Sequence, residues 1–502
     1  MDKIAKLIIF LLIVFGKTYG QHSFEISIDT DESCTLINAD KDSNGNIIIV
    51  GYIGPFYSGD KDGIIIKVSN DGSYNSKRFG LADTICTFNS INVLENGNYF
   101  VMGAMNTDTS HTYKNYLWVA LLDQNLNKLF QKSYQIKEPY LHFSTIFCTL
   151  INRDGDIILA TSALKEDTVE KTNFADFAFY KLNQQGDTLL SQYYQYIFDE
   201  GCWDIRQMPE SDNIMVIERS THYNSHDELM FLDPDLNIIA INQFGNGDAD
   251  INGVLSSNCW VSDTSFLLSG YNSWFMGTHS DKYIGVYLVD TSAVFHHELA
   301  LNKIDTTDVS AWRTSMAYAN DTTIYIGGFQ LSPSWPWSTE PTVVELYVVD
   351  KDLNLLGYKE LGGDSSYELW GVIATDDGGC LLYGTRFNNP DVYEYDVQIW
   401  KVNREDISII TQISEIQETT NEIRIYPNPF KDNLHIHLPP EILQESFKVL
   451  IYSFAGKKVF QKKFIQGGNL LSLYLNNLPQ GLYNLMLTQN TNIIYTTKVI
   501  KN

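Results

Sequence analysis

Seven copies of one sequence pattern recur along most of this chain. Each copy has a polar turn, an apolar run of four to six residues, a variable loop and a second apolar run. Asn, Asp and Gly at the turns allow the backbone conformations that tight hairpins need. The turn positions, spaced 52, 58, 57, 52, 58 and 56 residues apart, are Asn44, Asn96, Asp154, Ser211, Asp263, Asp321 and Asp377.

Each repeat predicts four β-strands, because a further apolar segment precedes the turn and another follows the second run. Repeats of about 55 residues with four strands each are typical of sheets arranged radially around a channel. We therefore expect an all-β fold with a seven-bladed β-propeller over residues 21–413. A linear β-solenoid is the alternative, although solenoid repeats are usually shorter and have ends that need caps.

The segment SFEISID (residues 23–29) precedes Cys34 in the register of an outer strand, yet it has no blade of its own. An open ring exposes the edges of its sheets. We expect this segment to complete the seventh blade. Residues 407–413, ISIITQI, compete for the same place.

The repeats resemble a bacterial repeat that is common in surface proteins of the Bacteroidota. Its pattern is roughly F-G-G, then T-x-D-G-G-(Y/F)-(I/L)-(I/L)-x-G, then D-(V/A)-W-(V/I)-x-K-(L/V). The last unit matches best, with ELGGDSSYELWGVIATDDGGCLLYGT followed by YDVQIWKVN. The resemblance covers about residues 24–413. It implies a fold and a habitat, and no activity.

Residues 1–20 have the composition of a signal peptide. Lys3 and Lys6 are followed by an apolar run from Leu7 to Phe15, and Thr18 and Gly20 are small residues before the expected cleavage site. A membrane anchor is the alternative, but the run is too short to span a bilayer. No other stretch reaches 18 apolar residues, so we expect a mature chain that does not span a membrane.

The net charge of the chain changes sign after residue 422. Its formal net charge is −26, yet residues 423–502 contain nine Lys or Arg and only three acidic residues. The polar stretch at residues 414–422 reads as a linker. Alternating strands and turns then predict a small antiparallel β-sandwich over residues 423–502.

The order of motifs in this tail closely resembles the type A C-terminal sorting domain of the type IX secretion system. The matching residues include Tyr426, Pro427, Asn428, Pro429, Gly456, Gly481, Tyr483 and Lys498. The resemblance implies export in two steps, with the type IX secretion machinery as a partner and removal of the tail near residues 411–422. It also implies a secreted protein, or one on the outer-membrane surface of a Gram-negative bacterium.

The acidity of the chain argues against nucleic acid as a partner, because phosphates need a basic surface. No zinc-protease, nucleophile-elbow or P-loop motif is present. Two strings have the spacing of calcium ligands, at residues 40–45 and 248–253, but the twelfth position is Gly51 in one and Cys259 in the other. We therefore expect no cofactor, with calcium as a lesser alternative. The six cysteines are sparse and are expected to be buried free thiols.

Tryptophans are the candidate ligand-binding residues. Trp274, Trp335 and Trp337 are predicted in loops on one face, and three more begin inner strands near the same end of the channel, namely Trp203, Trp312 and Trp370. Flat aromatic rings among acids and amides suit the apolar faces and hydroxyls of sugars. The alternative is that these residues pack between blades.

These observations favour a non-enzymatic, exported propeller that binds a glycan or a surface protein. A propeller hydrolase or lyase acting on polysaccharide is the second hypothesis, because paired carboxylates can come from distant strands. A structural surface protein without a small ligand is the third. A cluster of carboxylates in the channel would favour the enzyme, and an aromatic shelf with amides would favour binding.

Overall fold

The computed structural model describes most of the chain from residue 23 onward. Two compact units divide it at residues 411 and 412. The described residues are 23–55, 61–80, 84–106, 116–137, 140, 142–166, 173–194, 200–220, 227–244, 253–276, 279–301, 306–332, 340–387, 394–409, 423–431, 433–438, 447–453, 457–464, 470–476, 478–489 and 492–502. The predicted signal peptide and the predicted linker, residues 414–422, lie outside these ranges.

Within residues 24–409 the described strands form seven antiparallel sheets. The strands of the first three sheets are β2 (Cys34–Lys41), β3 (Ile47–Ile53), β4 (Asp62–Val68) and β5 (Tyr74–Phe79); β6 (Ile85–Cys86), β7 (Ser90–Val93), β8 (Tyr99–Asn106), β9 (Tyr116–Leu122) and β10 (Lys128–Gln135); and β11 (His142–Ile151), β12 (Ile157–Glu166), β13 (Asn173–Leu182) and β14 (Thr188–Tyr194). The strand that precedes them all is β1 (Phe24–Ile28).

The remaining four sheets repeat this arrangement. Their strands are β15 (Glu200–Gln207), β16 (Ile214–Ser220), β17 (Asp227–Leu232) and β18 (Ile238–Gln243); β19 (Gly253–Trp260), β20 (Ser265–Met276), β21 (His279–Asp290) and β22 (Phe295–Leu301); β23 (Asp308–Ser310), β24 (Met316–Asn320), β25 (Thr323–Gln330), β26 (Val343–Val349) and β27 (Leu355–Gly362); and β28 (Ser366–Ala374), β29 (Cys380–Phe387) and β30 (Asp396–Val402). A short 3-10 helix (Arg404–Asp406) and β31 (Ser408–Ile409) follow.

The innermost strands contact one another in a closed cycle. The sequence of contacts runs through β2, β7, β11, β15, β19, β24 and β28, and β28 contacts β2 again. A linear stack would leave its first and last sheets without such a contact. The expected fold class is confirmed: this part of the chain is an all-β propeller, and the tail that follows is a small antiparallel sandwich.

The ring is closed by the beginning of the chain. Strand β1 pairs with β30 as the outermost strand of the last sheet, with Ile26 opposite Ile399. The two isoleucines belong to one apolar cluster with residues of the first sheet. Residues 23–29 therefore take the expected place, whereas β31 pairs with β27 of the preceding sheet.

The hairpins between the third and fourth strands share an unusual turn. Leu126, Leu236 and Leu353 have φ values of 63°, 62° and 63°, a conformation that costs a residue with a Cβ about 1–2 kcal/mol. Each of these leucines is at most 1% exposed. Burial of one such side chain stabilises the fold by roughly 1.5–3 kcal/mol. Burial therefore offsets the backbone cost, and the leucines anchor the turns to the core.

Aspartates hold the same turns by accepting hydrogen bonds. Asp123 Oδ1 accepts from the backbone N–H of Asn125 at 2.9 Å and of Asn127 at 2.7 Å, and Asp233 Oδ1 bonds in the same way to Asp235 and Asn237. The hydrogen bonds from Asn127 lower the pKa of Asp123, and those from Asn237 lower the pKa of Asp233. Similar bonds recur in other repeats.

We expect stability to fall in acid. An aspartate whose pKa is lower in the folded state contributes stability above its unfolded pKa of about 3.9, and that stability is lost as the pH falls through the folded pKa. The melting temperature, followed by circular dichroism, should thus be steady above about pH 5 and decline below about pH 4. It should decline less steeply in Asp123→Asn, which cannot titrate there. A melting temperature that is constant down to pH 2.5 would contradict this account.

All six cysteines are free thiols, and Cys34, Cys86, Cys202 and Cys380 are fully buried. Burial raises the pKa of the Cys34 and Cys259 thiols to about 12. Such thiols are inert at neutral pH, because the thiolate is the reactive form.

The tail forms two antiparallel sheets. One contains β32 (Arg424–Tyr426), β33 (Asn433–His437) and β36 (Leu470–Tyr474), and the other contains β34 (Phe447–Ser453), β35 (Lys458–Phe464), β37 (Gly481–Gln489) and β38 (Asn492–Lys501). One apolar cluster takes residues from both sheets, including Leu434 and Ile436 of β33 and Val449 of β34. The two sheets are thus packed face to face, as a sandwich requires.

Candidate functional site

Three of the candidate tryptophans lie where the inner strands are interrupted. Trp203 and Trp370 occupy β-bulges in β15 and β28, between Cys202 and Asp204 and between Leu369 and Gly371. Trp312 lies in the gap between β23 and β24. A bulge adds one residue and redirects its side chain out of the regular alternation. The tryptophans therefore sit within the inner edge of the ring rather than at the beginnings of the strands.

Trp312 is held by the neighbouring sheet. Its indole Nε1–H donates to Glu368 Oε2 at 3.1 Å, and its ring meets Phe329 edge to face with centroids 5.4 Å apart. The backbone N–H of Trp312 also donates to the carbonyl of Leu369 at 3.0 Å. These contacts give Trp312 a packing role between two sheets.

We expect Trp312→Ala to lower the free energy of unfolding by about 3 kcal/mol, as loss of a packed aromatic side chain usually does. Trp203→Ala should cost on the order of 1 kcal/mol, because the Trp203 indole N–H has no hydrogen-bond acceptor among the described residues. Urea unfolding of the two variants measures the difference. Equal losses would show that Trp203 is as much a packing residue as Trp312.

The other three candidate tryptophans are Trp274, Trp335 and Trp337. Trp274 lies in β20, and its backbone pairs with Asp281 of β21. The loop expected there is instead the end of a long hairpin, because pairing continues to Met276 and His279. Trp335 and Trp337 lie outside the described residues.

Arg313, which no sequence motif singled out, lies beside Trp370 at the inner edge of the ring. Arg313 follows Trp312, and its backbone N–H donates to the carbonyl of Trp370 at 3.0 Å. The titratable side chains that lie near its guanidinium include Tyr52, Cys148, Cys202 and Tyr383. These come from the first, third, fourth and last sheets, and only a group near the axis of a ring lies close to so many sheets. Burial lowers the pKa of Arg313.

A second arginine lines this region with a partner. Arg206 is 41% exposed and lies 3.2 Å from Asp204 Oδ2, which raises the pKa of the guanidinium. Asp204 Oδ2 also accepts hydrogen bonds from the backbone N–H of Asn258 at 3.0 Å and from its side-chain amide at 2.9 Å. Asp204 therefore links the fourth sheet to the fifth by hydrogen bonds, and its negative charge compensates the positive charge of Arg206.

Several N–H donors here have no acceptor among the described residues. They are the indole Nε1–H of Trp203, the indole Nε1–H of Trp370 and the Nε–H of Arg206. A buried donor without an acceptor costs about 1–3 kcal/mol. The indole N–H groups of Trp203 and Trp370 and the Nε–H of Arg206 are thus buried donors near the inner edge of the ring, and Trp370 also packs against the apolar cluster shared by the last and first sheets.

The first calcium-like string does not fit a calcium loop. Asp42 Oδ1 accepts the backbone N–H groups of Asn44 and Asn46 at 2.9 Å, and its Oδ2 accepts the Tyr99 hydroxyl at 3.0 Å. Asp40 Oδ2 accepts the Val93 N–H at 2.7 Å. Both carboxylates are thus used to hold the turn and the next sheet. In the second string, residues 248–252 lie outside the described ranges, and no metal-binding group of three or more His, Cys, Asp or Glu occurs among the described residues.

In the tail, the Tyr426-Pro427-Asn428-Pro429 motif contacts the C-terminal strand. Asn428 Nδ2–H donates to the Lys498 carbonyl at 2.9 Å, and Asn428 Oδ1 accepts the Ile500 N–H at 2.8 Å. The Tyr483 hydroxyl donates to the Pro479 carbonyl at 2.6 Å. Tyr426 is 41% exposed, whereas Gly456 lies outside the described residues. Hydrogen bonds therefore link the first part of the sorting-domain motif, around Asn428, to its last part, around Lys498.

Residues 424–502 match the family described as "Secretion system C-terminal sorting domain". This match supports the type IX sorting domain that the sequence predicted. Such a domain implies export of the chain, a secreted or cell-surface location and the type IX secretion machinery as a partner. The described part of the chain contains no helix long and apolar enough to cross a membrane.

No curated protein matches this chain. The solved structures similar to it include a fungal alcohol oxidase of the AA5 family in complex with copper, with 10% identity, 96% of this chain and 99% of the other covered, and a TM-score of 0.45. A protein of unknown function from Dyadobacter fermentans has 10% identity, covers 65% and 97%, and has a TM-score of 0.44. The β-propeller domain of the trilobed protease from Pyrococcus furiosus has 10% identity, covers 76% and 99%, and has a TM-score of 0.38.

Proposed function

We propose that this chain is an exported propeller that binds a glycan at the surface of a Gram-negative bacterium of the Bacteroidota, or after release from it. The sorting domain at residues 424–502 is the observation that supports export. The signal peptide at residues 1–20 starts the route, and cleavage near residues 411–422 frees the propeller from its tail. The ring is then the cargo.

The inner edge of the ring supports a binding role. Two indole N–H groups and an arginine Nε–H there have no acceptor among the described residues, and hydroxyl and ring oxygens of a sugar would supply acceptors. Aromatic rings offer the apolar surface against which sugars pack. Among the described carboxylates of this region, Asp204 and Glu368 already accept hydrogen bonds from neighbouring sheets, an arrangement that favours a fixed binding surface over an acid–base pair.

A panel of neutral and acidic oligosaccharides, presented to the full secreted protein, tests this proposal. We expect saturable binding to at least one class of glycan, with no change in the chain length of the bound sugar after prolonged incubation. Shorter products would favour the polysaccharide hydrolase or lyase. Absence of binding across the panel would reject the glycan and leave a protein partner or a structural role.

A further inference from the structure

The most unusual charged group in the ring is Arg313. The chain has 61 acidic and 35 basic side chains, so a carboxylate partner is available almost everywhere. Yet Arg313 forms no ion pair with a described carboxylate, and the titratable side chains near it include phenols and thiols. A desolvated cation without a partner destabilises a fold. Its presence near the axis therefore needs an explanation outside folding.

Arg313 lies beside the unmatched indoles. Its backbone N–H bonds to the carbonyl of Trp370, and Cys202, one of its electrostatic neighbours, directly precedes Trp203. Arg313 and the indoles of Trp203 and Trp370 thus come from interruptions in the inner strands of the sixth, fourth and last sheets. No described carboxylate forms an ion pair with Arg313.

We propose that the channel site around Arg313, Trp203 and Trp370 binds the carboxylate of a uronic acid residue in a glycan. A planar guanidinium binds a carboxylate with two parallel hydrogen bonds, and the indole N–H groups supply further donors to the sugar. This inference deepens the proposed glycan binding and rests on it.

The charges around the site limit which glycan fits. Asp204 is paired with Arg206, and Glu368 accepts hydrogen bonds from Trp312 at 3.1 Å and from Tyr395 at 3.3 Å. These two carboxylates and the net charge of −26 repel a densely charged polymer. The site therefore suits a single uronate carried on a neutral sugar chain.

A matched pair of probes tests the inference by calorimetry on the full secreted protein. One probe is xylotriose bearing a single glucuronate, and the other is the neutral xylotriose. We expect the acidic probe to bind at least about tenfold more tightly than the neutral probe, which is the order of affinity that one pair of charge-assisted hydrogen bonds contributes. Arg313→Gln should abolish this difference, and Arg313→Lys, which keeps the charge and loses the bidentate geometry, should leave an intermediate one.

Arg78→Gln is the matched control, because Arg78 is a 47% exposed arginine on the outer strand β5. It should bind both probes as the wild type does. Arg313→Gln should melt at or above the wild-type temperature, because it removes a cation that pairs with no described carboxylate. Should it unfold, the affinity of Arg313→Lys still tests the site.

The outcomes separate the two proposals. Equal affinity for both probes in the wild type, or an unchanged preference in Arg313→Gln, overturns the uronate site while glycan binding stands. Preference for a short acidic peptide over both sugars also overturns it. A wild type that binds no glycan on the panel rejects the proposed function and the site together.

Discussion

Removal of residues 423–502 is expected to trap the protein in the periplasm. On the proposed route, the predicted signal peptide carries the chain across the inner membrane, and the sorting domain directs the second step through the outer membrane. Without the domain, the surface and medium should contain less than about a hundredth of the wild-type amount. Cell fractionation followed by immunoblotting against the propeller measures this distribution.

A point variant of the tail provides the control. Asn428→Ala removes two hydrogen bonds to the C-terminal strand, each worth about 1 kcal/mol, so secretion should fall without stopping. Protease resistance of the retained propeller would show that the truncated protein is folded. Normal delivery of the truncated chain to the surface would contradict a sorting role for these residues.

Opening the ring should have the largest effect on stability. Ile26 is 9% exposed and packs in the cluster between the last and first sheets. Ile26→Asp places an unpaired charge there, so we expect it to lower the free energy of unfolding by about 3–5 kcal/mol. The free edge of β30 should then promote self-association. Thermal melting and sedimentation velocity report the two effects.

Ser27→Asp adds the same charge at the next position, where the side chain is exposed. It should change the melting temperature by no more than a few degrees. Equal destabilisation by both variants would mean that strand pairing in general, rather than burial of Ile26, closes the ring.

The fold could be predicted because its signals are local and repeated. An Asn-Gly or Asp-Gly turn between two apolar runs specifies a hairpin wherever it occurs, and Gly45, Gly97 and Gly155 indeed have φ values of 80°, 77° and 82°. Repetition of this unit then implies a ring. The place of residues 23–29 followed from register, since an outer strand was left without a sheet.

The site was harder to predict because it is formed by residues far apart in the chain. Trp203 and Trp370 were selected for their chemistry, but their positions depend on bulges that no local motif announces. Arg313 is one basic residue among 35, and its isolation from carboxylates emerges only when four other sheets surround it. Trp312, which directly precedes Arg313 in the sequence, is the one sequence feature that pointed to this region.

The pairing of β1 with β30 makes synthesis of the last blade a condition for closing the ring. Phe24 pairs with Lys401, so β1 has no partner strand until the last blade has been made. Closing so long a loop carries an entropic cost and slows folding. A chain that ends early would leave strand edges open to periplasmic proteases. On the proposed export route, the ring thus closes only in a chain that includes every blade through β30.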